Sequence, residues 1–168
     1  MKRILLVGIS GTGKTVLARR LSGQLQIPVT YCDAIAWKPG WVREDPKMVT
    51  RQLKQVLNKA EWIIEGYIEP LSAERISEAD AIIYLDYPGY VALIGGLRRW
   101  WKYRGKERPE MQPGNKEDFV LRLLWGMLRR HERAEIERAI SGNEGKVIRL
   151  TSWKAVNNFR IVDDRFNG

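Results

Sequence analysis

The chain's most chemically specific stretch lies near its N-terminus: Gly8-Ile9-Ser10-Gly11-Thr12-Gly13-Lys14-Thr15. The spacing is G-x-x-x-x-G-K-[ST], the pattern of a phosphate-binding loop. Gly8, Gly11 and Gly13 let the backbone curl around an anion with no Cβ in the way. Ser10 and Thr12 complete the loop. The free N–H groups of the helix that opens at its end face the phosphates, and the helix dipole adds partial positive charge. Lys14 is placed to reach the β- and γ-phosphates, and the Thr15 hydroxyl to ligate Mg²⁺. The pattern points to a nucleoside triphosphate, ATP with Mg²⁺, and is silent on what receives the phosphate.

Such a loop needs a strand before it and a helix after it. Ile4-Leu5-Leu6-Val7 is a short apolar run that reads as a buried strand. Leu17, Leu21 and Leu25 recur every four residues and predict a helix face. Further along, Gln26–Asp33 reads as a second strand ending in a carboxylate. Trp37-Lys38-Pro39-Gly40-Trp41 is a turn framed by two indoles. Asp45-Pro46 starts a helix, with Asp as cap and Pro in the first turn, and Val49, Leu53, Val56 and Ala60 mark its apolar face. Trp62–Gly66, Ala81–Asp86 and Lys146–Leu150 read as three more strands, the first two ending in acids. A short polar helix spans Ser72–Glu78. A helix with Val91, Ile94, Leu97 and Trp101 on one face follows Pro88, and a last helix starts at Ser152. Strands alternating with helices predict an α/β fold with a parallel sheet covered on both faces. Ligands bind such sheets outside the carboxyl ends of the strands, where Gly8, Asp33, Glu65 and Asp86 all fall.

Residues 104–116 break the alternation with two Gly, two Pro and no core pattern, and read as a loop. One long helix is predicted from about Glu117 to Ile140. Phe119, Leu123, Met127 and Leu128 form its apolar side, with Arg122, Arg129 and Arg133 on another face. Arg98, Arg99 and Lys102 end the helix before the loop. A loop flanked by cations has the layout of a hinged lid that brings guanidinium groups onto a triphosphate.

The 168 residues fit one domain, 1–168, with the lid insertion at about 98–133. Hydrophobic content of 44% and charged content of 29% are ordinary for a globular protein. The lone Cys32 excludes an internal disulfide and fits a reducing, cytoplasmic setting. No apolar run approaches the ~20 residues that span a bilayer, so no membrane partner is expected. The net charge of +9 calls for an anionic partner. His131, between Arg130 and Glu132, has no metal-ligand companions and reads as a surface residue. Cys32 reads as a small buried residue.

The octet, Tyr31-Cys32-Asp33 with Trp37–Trp41, Trp62–Tyr67, and Tyr103–Lys106 with Arg108-Pro109 together resemble the bacterial DNA topology modulation protein family, adenylate-kinase-like members of the P-loop kinases. The resemblance covers nearly the whole chain to about residue 155. It implies a three-layer P-loop NTPase fold with a five-stranded parallel sheet in the order 2-3-1-4-5 and a helical and loop lid. It also implies that Asp33 and Glu65 hold Mg²⁺-bound water or the acceptor. Arg98, Arg129 and Arg130 would then be lid arginines acting with Lys14 on the transferred phosphoryl group, and Ser152 would lie at the edge of the adenine pocket. Trp37 is placed to contact the acceptor, and Glu65 joins Thr15 as a metal ligand. Two departures stand out: Glu65-Gly66-Tyr67 where Asp-Gly-Asn-Tyr is usual, and Gly89 where Arg often follows the fourth strand's proline. The expected activity is transfer of the ATP γ-phosphoryl group to a nucleotide, nucleoside or other small acceptor. The alternatives are an ATP-dependent nucleic-acid-binding protein that affects DNA topology and a nucleotide-binding protein without catalysis.

Overall fold

The computed structural model describes residues 1–66, 72–117, 121–130 and 132–161. Its centre is a five-stranded parallel sheet built from β1 (Arg3–Gly8), β2 (Val29–Tyr31), β5 (Trp62–Glu65), β6 (Ala81–Leu85) and β7 (Val147–Leu150), in the spatial order β2-β5-β1-β6-β7. A separate two-stranded hairpin, β3 (Trp37–Lys38) and β4 (Val42–Arg43), lies outside it. With the hairpin set aside, the sheet order by chain position is 2-3-1-4-5, as the resemblance implied.

Alternation along β1 divides the core in two. Ile4 and Leu6 face one side, with Leu17, Ala18, Leu21 and Leu25 of α1 (Lys14–Leu25) and Val156 of α8 (Trp153–Asn158). Leu5 and Val7 face the other. There they meet Val49, Leu53 and Leu57 of α3 (Pro46–Leu57), Ile76 of α4 (Ser72–Glu78), Met127 of α6 (Leu121–Arg129), and Ile136 and Ile140 of α7 (Arg133–Ile140). Each of the larger aliphatic side chains so buried is worth roughly 1.5–3 kcal/mol. Asp45 caps α3 as its type suggested, accepting from the Lys47 N–H at 2.8 Å. The register aligns Gly8 with Leu85 and Glu65 with both Leu6 and Tyr31, so the carboxyl ends of four strands converge at one edge.

Three local expectations need correction. The strand after α1 ends at Tyr31, and Asp33 lies in the first turn of a short helix, α2 (Cys32–Ala36). The long helix expected from Glu117 to Ile140 is two helices, α6 and α7, broken where Arg130 adopts φ +54°. The break also takes Arg133 off the face expected to carry Arg122 and Arg129, and the Arg122 side chain lies outside the described residues. Phe119, His131, Tyr67 and the tail from Val162 lie outside them as well.

The third correction concerns α5 (Gly89–Tyr103). Of the four apolar residues that marked one face of this helix, Val91 packs against the core, but Ile94, Leu97 and Trp101 are exposed. The buried residues of α5 are Gly89, Ala92 and Gly96. The reason is close approach on the other side. A Cβ at Gly95 would lie 2.0 Å from the Gly11 carbonyl oxygen, and one at Gly89 would lie 2.0 Å from the Leu128 carbonyl oxygen. Helix α5 therefore lies against the phosphate loop and α6 backbone to backbone, and large residues cannot occupy those faces. The Arg expected after Pro88 is sterically excluded for the same reason. Gly95→Ala is expected to destabilise the fold by about 1–3 kcal/mol through overpacking. That should lower the melting temperature by several degrees and weaken nucleotide binding more than Gly23→Ala, a helical site in α1 with no heavy atom within 4 Å of the added methyl and no left-handed backbone. Equal melts for the two variants would contradict the close approach.

Candidate nucleotide and acceptor site

The loop Gly8–Thr15 joins β1 to α1 at the centre of the sheet's carboxyl edge. Gly11 and Gly13 sit at φ +84° and +89°, where a side chain would be strained. Gly13 is the α1 N-cap and brings no side-chain hydrogen bond to the helix end. The first-turn N–H groups therefore stay directed at whatever anion enters. Thr12 is fully buried, and its hydroxyl donates to the Ile9 carbonyl at 2.8 Å, which fixes the loop's curvature. The Lys14 ammonium folds back over the loop and donates to the carbonyls of Gly8 (2.7 Å) and Ile9 (3.1 Å).

Glu65, at the end of β5, lies beside the loop. The Thr15 hydroxyl donates to its Oε2 at 3.3 Å, and Lys14 Nζ is 4.0 Å from its Oε1. Only 8% of Glu65 is exposed. Burial pushes its carboxyl above the usual carboxylate range. Lys14 and the Thr15 hydrogen bond pull it down, while Asp33 and Glu110 push it further up. A divalent cation between Thr15 and Glu65 would relieve this desolvation. The two groups offer hard oxygens and an excess of negative charge, the donor set that suits Mg²⁺. No group of three or more metal-ligating side chains occurs among the described residues.

The segment 104–117 is pinned rather than loose. The Trp41 backbone N–H donates to Asn115 Oδ1 (2.7 Å), its indole N–H to the Lys116 carbonyl (2.9 Å), and Gln112 to the Ala34 carbonyl (2.9 Å). The segment thus rests on the β3–β4 hairpin and α2. A run of alternating charges also ties it to the phosphate loop. Arg19 of α1 pairs with Glu110, which is 3.7 Å from Arg108. Arg108 and Arg99 each contact Glu117 at 2.9 Å, and Arg99 donates to the Ser10 hydroxyl at 3.2 Å. The Arg108–Glu117 contact is a charge contact, since Arg108 Nε has no aligned acceptor. Arg108 and Glu117 are both more than nine-tenths buried, so each depends on the other's charge.

The structure gathers Lys14, Thr15, Glu65 and Asp33 at one edge, with Asp33 exposed on α2. It does not gather the three arginines read from sequence. Arg98 is exposed and makes no hydrogen bond or ion pair to a described residue. Arg129 is exposed and stacks on Trp125, 4.5 Å from the ring centroid. Arg130 pairs with Asp86. The arginine that touches the phosphate loop is Arg99, whose adjacency to Arg98 in sequence hid the difference. Helical periodicity could have found it, since Arg99 lies four residues after Gly95 and seven after Ala92, both of which touch the loop. Trp37 packs edge-on against Trp41 (5.7 Å) and lies under the Arg43 guanidinium (4.1 Å). The Ser152 hydroxyl caps α8, accepting from the Ala155 N–H at 3.1 Å. Its neighbour Trp153 packs against Gly13, with ring atoms 3.1–3.2 Å from where a Cβ would be. Cys32 is fully buried, and burial pushes its thiol up to about 12. Iodoacetamide should label the native protein roughly 10³-fold more slowly than the unfolded chain, because so little thiolate forms; comparable rates would refute this.

Comparison with known proteins bears on the fold and on the N-terminal part of the chain. The family model described as "ATPase family associated with various cellular activities (AAA)" matches residues 4–84, the half that holds the phosphate loop and Glu65. The ATP-binding subunits ClpX of the ATP-dependent Clp protease from Bacteroides thetaiotaomicron and Bacteroides fragilis are 43% identical over 54 residues, 32% of this chain. The match spans only 13% of the length of those relatives. Among solved structures, a gluconokinase from Sinorhizobium meliloti aligns over 93% of this chain and 85% of its own, with a TM-score of 0.53 and 14% identity. A shikimate kinase from Bacteroides thetaiotaomicron aligns over 93% and 92%, with a TM-score of 0.52 and 17% identity. The fold is that of the P-loop kinases.

Proposed function

We propose that the chain is a small-molecule kinase that transfers the γ-phosphoryl group of ATP to an oxygen of a small acceptor. The observation that carries this reading is the Thr15–Glu65 contact beside an uncapped, glycine-lined helix start, with Asp33 on the acceptor side of the same edge. The first-turn amides and Lys14 take the polyphosphate, and Lys14 exchanges its two loop carbonyls for phosphate oxygens. Thr15 and Glu65 would hold Mg²⁺, which would supply charge neutralisation to the polyphosphate. The acceptor lies between Asp33, Trp37 and Glu65. Its oxygen bonds to the γ-phosphorus as the bond to the β-phosphate oxygen breaks. ADP leaves, and Asp33 takes the acceptor's proton where the acceptor is a hydroxyl. The segment 98–133 acts as the lid. Arg99 serves at its base, and Arg98, Arg129 and Arg130 reach the phosphates once it moves.

The fold shared with a gluconokinase and a shikimate kinase supports a small acceptor. The test is a phosphotransfer screen with ATP and Mg²⁺ against nucleosides, nucleotides and small polyhydroxy acids, with supercoiled DNA in parallel. One acceptor should raise ADP production sharply over the acceptor-free rate and appear as its phosphorylated product. ADP production stimulated by DNA alone, with no phosphorylated small product, would replace this reading with the nucleic-acid one.

A further inference from the structure

The outer face of α5 carries a second anionic partner's signature. Tyr90, Ile94, Leu97 and Trp101 recur at intervals of four, three and four residues and so share one side of the helix. Their exposures are 61%, 45%, 39% and 74%. The stripe lies opposite the glycine face that meets the phosphate loop and α6. Cations border its C-terminal half. Arg98 follows Leu97 and is one turn from both Ile94 and Trp101, and Arg104 stands over the Trp101 ring, 5.7 Å from its centroid. From Gly89 to Lys106 there are five cations and no acid; Arg99 turns inward to Glu117 and Ser10, which leaves Arg98, Lys102, Arg104 and Lys106. Helix α6 carries exposed apolar residues of its own. Leu128, whose backbone meets Gly89, is 41% exposed, and Trp125 is 51% exposed beneath the Arg129 guanidinium.

We propose that this face docks on an anionic lipid surface. An apolar stripe with aromatic ends and a cationic border is the profile of a helix that lies in a membrane interface. The aromatic rings take the headgroup level, Ile94 and Leu97 enter the acyl boundary, and the guanidinium and ammonium groups meet the lipid phosphates. Charge decides among occupants. A second copy would bring two all-cationic helices within a Debye length of each other. A nucleic acid would find aliphatic side chains at the centre of the stripe, where base stacking needs rings. The outer face of α5 is turned away from Lys14, Glu65 and Asp33, and docking engages Arg98 only while the proposed lid is open.

The test is co-sedimentation of the full chain with phosphatidylcholine vesicles that contain about one quarter phosphatidylglycerol, against pure phosphatidylcholine. The protein should bind the anionic vesicles only, and less as salt rises. The triple variant Ile94→Gln/Leu97→Gln/Trp101→Gln keeps every charge and should lose at least about tenfold in partitioning, because the apolar contribution to interfacial binding is gone. Trp101→Gln alone, at a residue too exposed to support the fold, should lose part of it and safeguards against misfolding of the triple variant. Absence of binding to the anionic vesicles would overturn the proposal. So would equal binding by wild type and the variants, which would reduce the effect to net charge. A change of oligomeric state in the variants with vesicle binding intact would give the face to a second copy and overturn it as well.

Discussion

Lys14→Ala is expected to lower ATP turnover by about 10²–10³-fold, the scale seen when one preorganised donor to developing charge is removed. The amide groups of the loop can still receive an anion, but the only ammonium among Gly8–Thr15 is gone. The variant gives up hydrogen bonds to the Gly8 and Ile9 carbonyls, about 1.5–3 kcal/mol each at most for a charged donor in a partly open site. Glu65 loses the cation 4.0 Å away and becomes harder to ionise. Nucleotide titration should therefore show weakened binding together with near-complete loss of turnover, while the circular dichroism spectrum is unchanged. Turnover within about threefold of wild type would remove Lys14 from the chemistry. Lys14→Arg keeps the charge but not the reach and should recover binding more than turnover.

Asp86→Ala should give the largest loss of stability among the polar residues. Asp86 follows β6 directly, and its side chain is 8% exposed. It accepts from Arg130, from Arg133 at 3.2 and 3.3 Å and from Arg149 at 2.6 Å. Arg133 and Arg149 each retain Glu137, at 3.1 Å and at 2.7–2.8 Å. Arg130 retains no acidic partner among the described residues. Breaking a buried pair costs 3–5 kcal/mol, and partial exposure of the arginines draws this toward about 3 kcal/mol. For a chain of this length that is a fall in melting temperature of roughly 6–12 °C. The effect should be concentrated at the α6–α7 break, because Asp86 secures Arg130 in its left-handed conformation. Amide exchange should quicken at residues 127–136 before it does in β1. A melt within about 2 °C of wild type would mean that the guanidinium cluster is held by Glu137 alone.

Much of the architecture was legible in the sequence, because alternation and four-residue repeats report which faces are buried. The β1 strand, the α1 face of Leu17, Leu21 and Leu25, and the Asp45 cap all followed from residue types alone. At α5 the repeat gave the helix but not its buried face, for a physical reason. Its pattern of Ile94, Leu97 and Trp101 is as regular as any core face, but burial there belongs to Gly89, Ala92 and Gly96. Glycine carries no hydropathic signal, so a backbone-to-backbone contact is invisible to a reading built on apolar side chains. The α6–α7 break was missed because Arg130 is an ordinary helix former, and only the Asp86 carboxylate across the sheet explains its turn. At the site, the octet and Glu65 could be read locally. The Arg99–Glu117–Arg108–Glu110–Arg19 run could not, because its members come from α1, α5 and the 104–117 segment, and charge alone does not declare pairing.

The contact between Gly11 and Gly95 has one more consequence. Two peptide groups that meet with no side chain between them leave no compliant layer to absorb displacement. Any tilt of α5 must shift the nest by the same amount or separate from it. The width of the phosphate cradle is therefore set by the pose of a helix whose far side faces solvent, and pressure applied to that outer surface would be felt at the polyphosphate.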